Sequence, residues 1–104
     1  MATSKDYLAF VLDQLSGLQE ISHRAMMGEY VLYYRGKVIG GIYDDRVLLK
    51  PTKAAEAVIP DAERDIPYVG AKEMLLVDVD DKEALTQLIE AMYSELPEPK
   101  KRSK

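Results

Sequence analysis

Cysteine is absent from the 104 residues, and histidine occurs once, at His23. Without thiols there is no disulfide framework, no thiol nucleophile and no cysteine-ligated zinc, and one imidazole is too few for the common histidine metal sites. No uninterrupted apolar run approaches the roughly 20 residues of a bilayer span. The N-terminus also lacks the charged, apolar, small-residue order of a secretory signal. These absences lead to the expectation of a cytoplasmic protein that is not an enzyme, with no cofactor, no metal site and no membrane contact.

What is present suffices for one modest core: a mass of 11.7 kDa, 47% hydrophobic residues and 31% charged residues. The expected organisation is one domain over residues 1–96 and a basic, disordered tail over 97–104. Lys100, Lys101, Arg102 and Lys104 against Glu98 give that tail +3, which leaves the body at −7 within the overall −4. A body that acidic repels phosphate backbones, so direct duplex DNA binding is not expected.

Leu8, Val11, Leu12, Leu15 and Leu18 repeat at helical spacing, with Thr3 and Asp6 placed as a capping box and Gly17 as a stop, which predicts a helix over about 4–17. From Ile21 to Lys50 the pattern becomes short β-rich runs: His23 to Met27, Tyr30 to Tyr34, Lys37 to Tyr43 and Arg46 to Lys50. With Arg35-Gly36 as a two-residue loop, Tyr34 faces Lys37, Leu32 faces Ile39 and Tyr30 faces Gly41. With Asp44-Asp45 as another, Ile42 faces Val47 and Gly41 faces Leu48. The middle strand then carries Gly40-Gly41 between large neighbours, and Tyr30 lies over the missing side chain of Gly41. Thr52 caps a short helix to Ile59, Ile66 to Val69 is extended, and Met74 to Val79 is a strand. Asp80 with Glu83 opens a last helix bearing Leu85, Leu88, Ile89, Met92 and Leu96.

The short connections make the meander antiparallel, giving an α+β fold with helices packed on one sheet. Its strands do not alternate cleanly between apolar and polar. Tyr30, Leu32 and Tyr34 share one face while Val31 and Tyr33 take the other, and Leu75, Val77 and Val79 oppose Met74 and Leu76. Three helices cover two faces poorly. Either Tyr rings and loops close the second face, or a partner meets it, most economically a second copy in a homodimer.

Tests for chemistry come out empty. Ser22 and His23 are strand neighbours that point to opposite faces, so the imidazole is not a base for the hydroxyl. Asp78-Val79-Asp80-Asp81 begins like a calcium loop, but Glu83 stands where glycine is required and Ile89 where the closing glutamate is. Gly36 to Gly41 has neither the spacing nor the following helix of a phosphate cradle. Tyr30, Tyr33, Tyr34 and Tyr43, with Arg35, Lys37, Arg46 and Lys50 at the strand ends, invite a comparison with base-stacking sheets, although sheet tyrosines mostly pack across strands. Glu29, Asp45 and Arg46 form an ion pair, a partner contact or merely a solvated hairpin end.

Arg24-Ala25-Met26-Met27-Gly28-Glu29-Tyr30-Val31-Leu32-Tyr33-Tyr34-Arg35-Gly36-Lys37, followed by Ile42-Tyr43-Asp44-Asp45-Arg46-Val47-Leu48-Leu49-Lys50, resembles the N-terminal domain of the TfoX/Sxy family. Met27 stands where that family usually has Phe, a volume-tolerant core change. The chain also ends where full-length members continue into a C-terminal helical domain. The resemblance covers about residues 4–96. It implies the order α-β-β-β-α-β-β-α, no catalytic residues, and a regulatory module related to competence gene activation, where full-length members act beside a CRP-type regulator. The expected function is therefore a noncatalytic interaction module that binds a protein partner such as a transcription regulator. Its contact surface is placed at Tyr30, Tyr33, Tyr34, Gly40, Gly41 and Arg46. Two rival readings are a small-molecule domain with the Gly40-Gly41 depression as pocket floor, and a nucleic-acid binder using the tail and strand-end cations.

Overall fold

Ser4, rather than Thr3, caps the first helix, its hydroxyl accepting the Tyr7 N–H at 3.1 Å. The structure, a computed structural model, describes residues 3–96 except 27 and 68. The tail over 97–104 and the Met27 position therefore lie outside the described residues. Helix α1 spans Lys5–Gln14. Thr3 turns inward instead: its hydroxyl donates to Glu29 Oε1 at 2.7 Å and its N–H to the Gly28 carbonyl at 3.1 Å. A threonine hydroxyl can cap a helix or satisfy a buried acceptor, and at 6% exposure Thr3 does the second.

The meander holds four strands, β1 (Ile21–Met26), β2 (Glu29–Tyr34), β3 (Lys37–Tyr43) and β4 (Arg46–Leu49). After α2 (Lys53–Val58) come β5 (Arg64–Asp65), β6 (Met74–Val77), α3 (Lys82–Met92) and a 3-10 turn, Tyr93–Glu95. The α+β class with helices on one antiparallel sheet is as expected. The strand beyond the three-strand meander of the family order is β1, in the segment read as extended around His23. The short extension near Ile66 falls at Arg64–Asp65, where it pairs with Met74 and Leu75. The sheet order is β1-β2-β3-β4-β6-β5, with every pairing antiparallel.

Thr52 caps α2 as read, accepting from Ala55 N–H at 3.0 Å. At α3 the cap moves one residue: Asp81, not Asp80, accepts from Ala84 N–H at 3.1 Å, while Asp78 takes the Asp80 N–H at 2.9 Å. Leu85, Leu88, Ile89 and Met92 of α3 and Leu96 beyond it are all buried. With Val11, Leu15 and Leu18 they close over Leu32, Ile39, Ile42, Val47, Leu49, Leu75 and Val77, forming one core on one side of the sheet.

The sequence-derived register fails at one place. Tyr34 does face Lys37, and the Asp44-Asp45 turn sets Ile42 against Val47 and Gly41 against Leu48. Between Leu32 and Tyr33, however, the pairing shifts, so that Leu32 faces Gly40, Val31 faces Gly41 and Tyr30 faces Ile42. Burial supplies the reason. Ile39 and Ile42 are three apart, so a regular strand would send them to opposite faces. The bulge spends one extra residue of β3 and puts both in the core at 0% exposure. Gly40 makes this feasible, with φ +154° and no side chain where its backbone meets β4.

Candidate functional site

Strand alternation places Val31, Tyr33, Val38, Gly41, Tyr43, Arg46, Leu48, Met74 and Leu76 on the face turned away from the helical core. Leu48 is fully buried there, and Val31 and Tyr43 nearly so, whereas Tyr33, Val38, Met74 and Leu76 are half-buried. Part of the cover is internal. A Cβ on Gly41 would stand 2.7 Å from the Tyr43 ring and 2.6 Å from the Tyr30 carbonyl oxygen. It is thus the Tyr43 ring, two residues along the same strand, that fills the space above Gly41, and not the Tyr30 ring, which the bulge carries to the other face.

Beside this ring lies a cavity of about 370 Å³, lined by Val38, Gly40, Tyr43, Lys50, Pro51, Pro67 and Met74 among others. The connection between β5 and β6 folds back far enough for Pro67, Ala71, Lys72 and Glu73 to form its far wall. A second cavity of about 510 Å³ lies between the C-terminal end of α2, α3 and β6, with Asp61, Asp78 and Asp81 in its lining.

The six residues assigned to a contact surface do not share one face. Tyr33, Gly41 and Arg46 belong to the open face, and Gly40, next to the bulged Ile39, reaches the cavity beside it. Tyr34 is 5% exposed and sits in the helix-side core, its ring edge-on to Tyr93 at 5.3 Å. Tyr30, also on the helix side, is half-buried against the His23 ring at 5.8 Å. The spacing of Tyr33 and Tyr34 does contain this split, since adjacent strand residues point apart.

The strand-end cations are also distributed. Lys37 is 5% exposed; its ammonium donates to the Tyr93 carbonyl at 3.2 Å and lies 4.2 Å from the Tyr93 ring centroid. Arg35 stacks over Tyr34 and Tyr93 at 5.4 and 5.7 Å. Arg46 pairs with Asp65 and donates from Nε to the Tyr43 carbonyl at 3.2 Å. Lys37 was legible only as a strand-end charge. The signal for its burial is the position itself, directly opposite buried Tyr34 across a two-residue turn.

The acids of the hairpin end serve the fold. Glu29 Oε1 accepts from Thr3 and from the Asp44 N–H at 3.0 Å, and Asp45 Oδ1 accepts the Ser4 N–H at 2.9 Å. Nearby, burial pushes the Tyr7 hydroxyl above its ordinary value of 10.0, and Asp45, Asp80 and Asp78 push the same way. A raised folded-state pKa favours the protonated form in the native protein, so this contribution is complete below pH 10 and is lost as pH rises through the folded value. Tyr7→Phe should therefore lose less stability than the wild type when chemical denaturation is followed from about pH 9 to pH 11. Equal alkaline losses in the two proteins would remove Tyr7 as a contributor.

Among the described residues no three His, Cys, Asp or Glu side chains gather as a metal site, and no helix is long and apolar enough to cross a membrane. Ser22 and His23 lie side by side on β1, directed to opposite faces.

The TfoX N-terminal domain family profile matches residues 13–96. An uncharacterised 12.7 kDa protein in the trpE 5′ region of Spirochaeta aurantia is 38% identical over 104 residues, covering 98% of this chain and 90% of that protein. No solved structure matches the chain.

Proposed function

The chain belongs to the TfoX N-terminal domain family, and from that membership we propose that it is a noncatalytic protein-interaction module acting in transcription regulation through a protein partner. The observation that supports this reading is the second sheet face. Tyr33, Val38, Met74 and Leu76 stay half-buried there, beside Arg46, on the side of the sheet opposite the helical core. Aromatic and arginine side chains bordering apolar area are the composition of interface anchors. Binding would proceed by burying this face, with Tyr33 as the aromatic anchor and Arg46 at the rim.

Affinity capture of the tagged protein from its own cell extract, at moderate salt with nuclease present, tests the reading. Recovery of a transcription regulator by the wild type, and its loss with Tyr33→Ala, is the expected result. Recovery that depends on nucleic acid, or that is indifferent to Tyr33, counts against it.

The cavity of about 370 Å³ beside Gly40 favours a second reading, a small-molecule site. Its apolar floor, with Lys50 and Lys72 outnumbering Glu73 in the lining, suits a small anionic ligand with an apolar body. A ligand-dependent rise in melting temperature across a panel of organic acids is the corresponding test.

A further inference from the structure

The two edges of the sheet are unequal. One ends in β5, only two residues long; the other is β1, six residues long and exposed at every position from Ser22 to Met26. Natural sheets blunt their edges with short strands, prolines or bulges, because a long regular edge is a template for another strand. The β5 edge is blunted by length. The β1 edge has no proline, and its pairing with β2 runs from Ile21↔Tyr34 to Met26↔Glu29 without a shift.

The outward-facing groups follow from one hydrogen bond. Arg35 N–H donates to the Glu20 carbonyl at 3.0 Å. Antiparallel alternation then turns the main-chain groups of Ser22, Arg24 and Met26 toward β2, and those of Ile21, His23 and Ala25 outward.

We propose that β1 is a homodimer edge: two copies pair antiparallel through β1 about a twofold axis at His23, joining their sheets into one. This rests on the interaction-module reading and supplies it with a partner, a second copy. With His23 opposite His23 of the second copy, Ile21 faces Ala25 and all three outward residues of each strand are used, giving about six new main-chain hydrogen bonds. On the opposite face Arg24 meets Ser22, and Met26 meets Glu20.

The competing registers are worse for identifiable reasons. A slip of one residue turns the outward groups away from each other. A slip of two in one direction sets Arg24 directly opposite Arg24, a like-charge pair. The same slip in the other direction pairs Ala25 with Gln19, outside the strand, and loses a bonded pair. The edge is thus self-complementary in one register, which singles out a second copy over an unrelated strand.

The test is sedimentation equilibrium of the full chain at tens to hundreds of micromolar, for the wild type, H23K, H23E, their equimolar mixture and A25P. Across the twofold, H23K and H23E each set like charges opposite, so each should dimerise about fivefold more weakly than the wild type, and the mixture should associate more tightly than either alone. A25P removes an outward donor while leaving the β2 ladder intact, and should be monomeric with wild-type circular dichroism. A monomeric wild type, a dimeric A25P, or a mixture no tighter than its components overturns the edge pairing. If A25P fails to fold, the H23K and H23E mixture still decides. A monomeric wild type leaves the open-face reading standing, since that reading is tested at Tyr33, a β2 side chain on the open face, and not at the outer edge of β1.

Discussion

Gly40→Ala should destabilise the protein by about 3 kcal/mol or more, enough to leave a domain of ordinary stability partly unfolded. A Cβ at this position would stand 2.1 Å from the Leu48 carbonyl oxygen and 2.8 Å from Leu49 Cα. Both are backbone atoms of β4, so no side chain can swing aside; the strand itself must move. Moving β4 disturbs Leu48 and Leu49, each fully buried, and its pairing with β6. The φ of +154° adds backbone strain to the clash. Gly17→Ala is the control: its added Cβ would sit 3.4 Å from Thr86 Oγ1, an ordinary contact, and stability should change by less than about 0.5 kcal/mol. In urea the Gly40 variant should shift its midpoint by more than about 1 M and the Gly17 variant by a small fraction of that. Equal midpoints would mean that the bulge does not depend on glycine.

The second large effect separates two neighbours on one strand. Leu32 is at 0% exposure, inside the helix-side core, and Tyr33 is half-buried on the face opposite. Leu32→Ala should cost about 3 kcal/mol, from lost burial and the cavity that partial relaxation leaves. Tyr33→Ala should cost about 1 kcal/mol or less, because no core forms around that side chain. Thermal or urea unfolding of the two variants reads the contrast directly. A Tyr33 variant as unstable as the Leu32 variant would mean that the second face is packed interior, and the interaction reading would lose its surface.

The sequence carried the elements well where a single signal decided them. Leu85, Leu88, Ile89, Met92 and Leu96 mark the last helix by spacing, and all are buried. Arg35-Gly36 and Asp44-Asp45 mark two-residue turns, and both Asp residues and Arg35 take the positive φ such turns require. What escaped was competition between signals. The register through Leu32 failed because the burial of Ile39 and Ile42 outweighed regular pairing. Two adjacent glycines between isoleucines at odd spacing are the mark of that bulge. Caps shifted by one residue at Ser4 and Asp81, where several side chains able to cap stand together and tertiary contacts choose among them. Lys37 is legible in the sequence only as a strand-end cation, and its burial is not, because the Tyr93 carbonyl and ring that give its ammonium a buried place are distant in the chain. Of the proposed contact residues, the division of Tyr30 and Tyr34 from Tyr33 was legible from alternation alone, but which face the helices cover was not. That depends on where α1 and α3 pack, a long-range outcome.

The open sheet face is the proposed binding surface. The most direct measurement is the affinity of a partner recovered by the proposed affinity capture, once purified, for the wild type and for Tyr33→Ala by isothermal titration calorimetry, beside the melting temperature of each. Tyr33→Ala should bind about tenfold more weakly or worse with the fold retained. Equal affinity for the two proteins, with both folded, would contradict it.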